Sequence, residues 1–531
     1  MPRILLTSVF KPFGVDDAFS RRESKIELFH NQLTKYQGPF SIRTHFNTFG
    51  LHAIANNLDG VPVTVLDYPT RERFRQEVAQ GYDFVGIGSI VPNFQKVKAM
   101  AEDVRRISPG SQTVLGGFCA AVENVKQVIP LDHVCVGEGI AFMRDLLGLS
   151  PEFEFRQPEV FSETREILGV PILWGDYHPY LVVGLGCSYG CEFCCPSHFF
   201  GRKHLKFMKT GRQIFEQLER LAQRFHADTF CFIGDDNYLL DRQRNQELHD
   251  LIVASGRQWN IFIFASANLV SQWDPAELCE MGICNIWIGR ESKFAGYSKN
   301  RQVDMVALVD NLRRHGIKTI LSTILLMEFH TKDNIQEDIA EHLQCRPAFS
   351  QFSLYSPCPG TPLYDKLKEE GRLLLNIPYE EWHDFKQPWF IHPNFTLWEA
   401  EKIQAEAYLR DYYELGPGLV RFIRDDFEGY QNLKRSSNPR LQARARFLAR
   451  NMGRYRAILL GSERLVPKPE MREFIRELRR QIELEFGSAS LLEHLEGWGL
   501  SQFGRARELR TRLFGDDLQP RTRLTRYPGN S

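Results

Sequence analysis

Cys187, Cys191 and Cys194 stand within eight residues, spaced Cys-x3-Cys-x2-Cys, and Cys195 follows at once. Clustered thiolates in a long chain bind metal or do chemistry, whereas disulfide scaffolds are short and carry an even number of cysteines. This chain has 11 cysteines in 531 residues, which suits a reducing cytoplasm. Iron–sulfur clusters usually take four thiolates. Three on one tight loop leave one iron of a four-iron cluster without a protein ligand, an open position like the one a catalytic zinc keeps. Gly186 and Gly190 suit a loop that folds around an inorganic core. Two other readings compete. A zinc knuckle needs a fourth ligand close by, and Cys195 or His198 could serve, although adjacent Cys194 and Cys195 are awkward joint tetrahedral ligands. A packed group of structural thiols is the other. The spacing favours the open cluster.

A loop of this kind must be held by regular elements. Leu181–Leu185 is a strand candidate that runs into the cysteines through Gly186. Five further strands follow at Thr229–Ile233, Ile261–Ser266, Asn285–Ile288, Lys318–Leu326 and Gln351–Leu354. Helices alternate with them at Gly211–Phe225, Asp241–Ser255, Pro275–Met281, Val303–His315 and Lys332–Leu343. The first of these helices sets Ile214, Leu218, Leu221 and Phe225 on one face. Six strand–helix units predict a partial (β/α)6 barrel, short of a closed eight-stranded one.

Before the cysteines the chain alternates in the same way. Strand candidates are Arg3–Phe10, Val61–Leu66, Phe84–Gly88, Thr113–Leu115 and Val134–Val136, with helices at Phe49–Leu58 and Phe94–Ile107. That order predicts a doubly wound, Rossmann-like parallel sheet, whose ligands sit beyond the carboxyl ends of the strands. Those ends carry Ser8, Ser89, Gly116, Gly117 and the run Gly137-Glu138-Gly139. Glycine there lets a large ligand approach the backbone. The plain alternative is an accessory domain whose glycines only make turns.

Hydrophobic residues are 43% and charged residues 25%, an ordinary globular mix. The 66 basic and 66 acidic residues cancel, which argues against a dedicated nucleic-acid binder. Apolar runs such as Thr319–Met327 fall short of a membrane span, and the first residues read as a buried strand and not as a signal peptide. From about His392 the chain is helical. Residues 434–531 hold 21 Lys/Arg and 11 Asp/Glu, a net of +10. An amphipathic cap on the barrel is the favoured reading of this basic region. The other is peripheral docking to an anionic membrane surface or an acidic partner. The last dozen residues read as a tail.

Cys-x3-Cys-x2-Cys with an aromatic, Phe193, before its last cysteine resembles the signature of the radical S-adenosylmethionine (SAM) superfamily. The N-terminal order of strand, GLHAIA helix, VGIGS, VLGG and VGEG resembles the cobalamin-binding domain of its class B methyltransferase-like subgroup. Ser356-Pro-Cys358-Pro-Gly-Thr361-Pro is similar to a proline-rich segment after the last barrel strand of that subgroup, and Cys358 takes its variable position. Together the resemblance covers roughly residues 3–375.

This resemblance implies a [4Fe–4S] cluster on Cys187, Cys191 and Cys194, with SAM on the fourth iron and a 5′-deoxyadenosyl radical after reductive cleavage. It implies SAM contacts from Phe193, Gly234, Asp235, Asp236, Arg290, Glu291 and Ser292. Gly234-Asp235-Asp236 would meet the cofactor's amino group, and Gly289-Arg290-Glu291-Ser292 its ribose and carboxylate. Taken alone, each of these turns is as readily a helix cap. The resemblance also implies cobalamin held at Ser8, Ser89, Gly116, Gly117, Gly137, Glu138 and Gly139. No Asp-x-His-x-x-Gly motif supplies a cobalt ligand.

The implied activity is methylation of an unactivated carbon on a small-molecule, lipid or natural-product substrate, with electrons from a flavodoxin or ferredoxin. Cyclisation, oxidation or rearrangement by the same parts is the alternative. A non-catalytic iron–sulfur or zinc protein is an alternative of another class. A methylthiotransferase would carry a cysteine-rich N-terminal domain, but the first cysteine here is Cys119. No general acid or base is assignable, although Tyr189, Tyr238 and His198 fall near the expected mouth. The expected domains are a cobalamin-binding-like domain over 1–147, a linker over 148–178, the barrel over 179–391 and a helical region over 392–531.

Overall fold

The computed structural model describes all residues except 23–32, 517 and 530–531, and only the backbone of 173–176. The five expected N-terminal strands form a parallel sheet. Ile4–Ser8 is central, flanked on one side by Val63–Asp67 and on the other by Phe84–Gly88, Gln112–Gly116 and His133–Val134 in turn. The order 2-1-3-4-5 opens a crevice between the first and third strands, beyond Ser8 and Gly88. Ile4–Ser8 and Val63–Asp67 are buried along their whole length, which is why they are mostly apolar. Helix Phe94–Ile107 turns Val97, Met100 and Val104 inward.

The barrel sheet carries six parallel strands, Val170–Leu181, Thr229–Phe232, Asn260–Phe264, Ile283–Glu291, Lys318–Leu325 and Phe349–Leu354, neighbours in chain order. It stays open, as the count of six requires. Helix Gly211–Phe225 starts at a capping box between Thr210 and Gln213 and buries Ile214, Leu218 and Leu221. A side chain at Gly211 would come within 2.3 Å of the Leu248 backbone nitrogen, so glycine sets how closely this helix meets the next.

The expected linker is corrected by the sheet. Val160–Ile167 pairs antiparallel with Val170–Leu181 through a two-residue turn, Leu168-Gly169, with φ of +49° and +77°. Positive φ at both positions is the turn that matches strand twist in a hairpin. Prolines at 158 and 171 hide this pattern in the sequence. Arg43–Phe46, from the N-terminal region, then adds the eighth strand of the barrel sheet.

The C-terminal region is helical from Leu397 to Phe514, as expected. The expected tail is also corrected. Arg523–Tyr527 pairs antiparallel with Val63–Asp67 and becomes the edge strand of the N-terminal sheet. Tyr527 hydrogen-bonds His52, whose other ring nitrogen meets the buried Asp67 at 2.7 Å. A chain ending at Pro520 should therefore melt several degrees lower by differential scanning fluorimetry, because it loses a strand and exposes this polar group. Among the described residues no helix is long and apolar enough to cross a membrane.

Candidate active site

The strand ends of both sheets open on one cavity of about 850 Å³. The N-terminal sheet contributes Ser8, Ser89, Gly116, Gly117, Gly137, Glu138 and Gly139, and the barrel contributes Phe193, Cys194, Gly234 and Asp236. Glycine is needed here for two reasons. Gly117 has φ +78°, and a Cβ on it would lie 2.4 Å from the Ser89 carbonyl oxygen. A Cβ on Gly116 would meet nothing within 4 Å and would stand in open space. Glu138 caps helix Gly139–Leu146 by accepting from the Ile140 and Ala141 amides, and burial raises its pKa.

The cysteine loop is closed at its base by a short antiparallel pair, Gly184–Leu185 with Leu205–Lys206. Gly186 and Gly190 have φ of +73° and +67°, and side chains there would strike Lys203 and Arg202. Ser197 accepts from the Gly190 amide and donates to the Cys187 carbonyl at 2.7 Å, which fixes the loop's curvature. Burial raises the thiol pKa values of Cys187 and Cys191 and pushes Cys194 up to about 12. Lys299 works against that rise at all three. Ligation deprotonates thiols, so a half-buried ammonium beside them favours a bound cluster.

Among the described residues no three His, Cys, Asp or Glu side chains are close enough together to hold one metal ion. A single tetrahedral zinc would draw its sulfurs to about 3.8 Å from one another. Three thiolates on one loop are soft ligands and suit an iron–sulfur cluster. The two candidate fourth ligands are engaged elsewhere. The Cys195 thiol hydrogen-bonds Cys358, and the His198 ring meets the Cys191 carbonyl at 3.1 Å.

The two acidic residues after the second strand separate. Asp235 is fully buried, 3.0 Å from His204 and 3.3 Å from Arg244. Asp236 faces the cavity, deep enough that burial and the Asp235 charge push its carboxyl up to about 7. The segment after the fourth strand bends at a bulge between Gly289 and Glu291, where Glu291 takes φ +60°. Arg290 turns to Asp338 at 2.8 Å and to Glu341, away from the cavity wall. Glu291 pairs with Lys299, and Ser292 lies 3.5 Å from His330. Phe193 reaches the cavity between Tyr297 and Tyr355. Of the residues expected near the mouth, Tyr238 is instead fully buried beneath Arg244.

No family model matches the chain. It is 27% identical over 242 residues to the hopanoid C-2 methylase of Rhodopseudomonas palustris, covering 43% of this chain and 45% of that one. It is 28% identical over 380 residues to the bacteriochlorophyllide d C-12(1)-methyltransferase of Chlorobaculum tepidum, covering 65% and 79%. The chain thus spans under half the length of the first relative and most of the second. The solved structure of the radical SAM methyltransferase TsrM from Kitasatospora setae matches its fold with a TM-score of 0.52 at 13% identity, over 97% of this chain and all of that one. These likenesses support the reading of the chain as a radical SAM protein of the cobalamin-binding-domain subgroup.

Two features of the site escape the sequence motifs. Lys299 is half-buried beside the cysteine loop, and although desolvation opposes its charge, Glu291 and the Cys191 thiol outweigh that and raise its pKa. A lysine several residues beyond the Gly289-Arg290-Glu291-Ser292 turn carries no signal of its own, because only the bulge brings it back beside the cluster loop. The second is the segment from Trp382 to Trp389, which closes one wall of the cavity with both indoles, His383 and Asp384. Burial lowers His383 to about 3 and raises Asp384 to about 7. The aromatic run between Tyr379 and Phe390 was the available clue.

Proposed function

We propose that this radical SAM protein is a cobalamin-dependent C-methyltransferase acting on an unactivated carbon of a small-molecule or lipid substrate. One observation carries the reading: the cysteine loop and the glycine-rich strand ends open on the same cavity. Cys187, Cys191 and Cys194 would hold the [4Fe–4S] cluster. Phe193, Gly234 and Asp236 would face SAM, with the Asp236 carboxyl available to an ammonium. Ser8, Ser89, Gly116, Gly117, Gly137, Glu138 and Gly139 would hold cobalamin. Once bound, the cluster supplies the electron that cleaves the sulfonium, and cobalamin carries the methyl group.

The chain's own share is placement and exclusion of water. Phe49, Phe118, Phe199, Phe264 and Trp382 wall the cavity, so a reactive species made there meets few exchangeable protons. Such a wall also suits an apolar substrate. A flavodoxin or ferredoxin would deliver the electron, and the 11 free cysteines fit a reducing cytoplasm.

Anaerobic reconstitution tests this reading. Iron, a visible cluster spectrum, and release of 5′-deoxyadenosine and S-adenosylhomocysteine are the expected results, and a colourless zinc protein would refute it. Gly116→Phe should fill the open space beyond the fourth strand without a clash. It should retain the cluster, yet lose at least about tenfold in hydroxocobalamin kept after desalting. Undiminished retention would remove the cobalamin assignment.

A further inference from the structure

Helix Leu491–Phe514 is turned inside out. Its inner face is Gly497, Ser501 and Gly504, all buried. A Cβ on Gly497 would come within 2.6 Å of Leu460, and one on Gly504 within 2.9 Å of Leu465. Small residues are needed because the helix lies almost in backbone contact with helix Met452–Glu463. Its large apolar side chains are left outside. Leu491, Leu495, Trp498, Leu509 and Leu513 are 56% to 79% exposed. Leu492, Phe503 and Phe514 flank them, equally exposed. A stripe of this size and continuity marks a surface that something covers.

The spacing says what covers it. The stripe runs Leu491, Leu495, Trp498, Gln502, Ala506, Leu509, Leu513, in steps of 4, 3, 4, 4, 3 and 4. It reads the same from either end. Two 11-residue repeats keep such a stripe nearly straight along an α-helix. A second copy laid antiparallel therefore places Leu491 on Leu513, Leu495 on Leu509, and the Trp498 indole over Ala506. Gln502 meets its own counterpart on the axis. On one flank, Leu492 falls beside Phe514, Phe503 beside Phe503, and Glu496 beside Arg510. The pairing is isologous, large against small and acid against base.

We propose that this protein is a homodimer whose two-fold axis passes through Gln502, with the two Leu491–Phe514 helices packed antiparallel. Eight large side chains, at about 100 Å² each, reach the roughly 800 Å² per partner that a stable interface needs. An anionic lipid surface fits less well. Glu496 stands exposed beside the stripe, where lipid phosphate would repel it.

The test is the mass of the full-length, cluster-loaded protein by sedimentation velocity under argon. Twice the 61.6 kDa of one chain is expected at micromolar concentration. Leu495→Arg and Leu509→Glu lie on the outer face and should leave circular dichroism unchanged. Each alone should weaken dimerisation by more than about a hundredfold, since each buries two unpaired charges per dimer. Mixing the two variants should restore a dimer, because the introduced guanidinium of one copy then meets the introduced carboxylate of the other. A monomeric wild type, dimers that survive both variants, or a mixture that stays monomeric would each overturn the proposal. So would monomeric protein that sediments with vesicles of phosphatidylglycerol and phosphatidylcholine and releases them on Leu509→Glu.

Discussion

Cys191→Ala should yield a folded protein with no iron, no visible cluster spectrum and no turnover of SAM. Two thiolates do not hold a four-iron cluster, and neighbouring groups cannot replace the third. The Cys195 thiol is hydrogen-bonded to Cys358, and His198 is tied to the loop backbone. Product release should fall by at least about 10⁴-fold, the loss of a cofactor and not of one contact. Melting of the metal-free protein should stay within a degree or two of metal-free wild type, because Cys191 is only partly buried and its thiol fills no core. Cys195→Ala is the control and should keep its iron. A Cys191→Ala protein that releases 5′-deoxyadenosine at the normal rate would end the cluster assignment.

The second large effect separates two adjacent aspartates. Asp235→Ala removes the carboxylate from Arg244, which is as fully buried as Asp235 itself. An uncompensated guanidinium in the interior costs about 3–5 kcal/mol. The His204 ring loses its partner as well. The variant should unfold at markedly lower urea concentration or accumulate as insoluble protein. Asp236→Asn should do neither. Its side chain faces the cavity and has no such partner to strand, so urea stability should change by less than about 1 kcal/mol. It should instead weaken SAM binding by about 10- to 100-fold, the worth of one charge-assisted hydrogen bond. Equilibrium dialysis of SAM against the reconstituted protein reads that loss. If Asp236→Asn binds SAM as wild type does while Asp235→Ala is stable, the two residues have been given the wrong roles.

These aspartates also show where local sequence stops being informative. Both occupy one short acidic turn, and both are expected to serve the cofactor. Which one faces the cavity depends on Arg244 and His204, which lie 9 residues after and 31 residues before Asp235. Arg290 and Glu291 repeat the lesson. A strand pattern alternates side chains between two faces, and the bulge at Gly289–Glu291 adds one residue and re-aims everything beyond it. Arg290 therefore braces Asp338 and not the cavity.

Short-range information was enough for much of this protein. The cysteine spacing, the alternation of strands and helices, and the glycines at strand ends follow from chain geometry over a few residues. Five of the six parallel barrel strands and the five of the N-terminal sheet could be placed from them; the first barrel strand is Val170–Leu181, and the expected Leu181–Leu185 run leaves the sheet at its end. Pairing between distant segments could not. The edge strands Arg43–Phe46 and Arg523–Tyr527 are short and polar on one side, and only a sheet edge supplied from elsewhere makes them strands. The convergence of seven N-terminal residues and the cysteine loop on one cavity is of the same kind. Residue spacing sets what a segment can become, but burial and charge pairing across the fold decide which way each side chain faces.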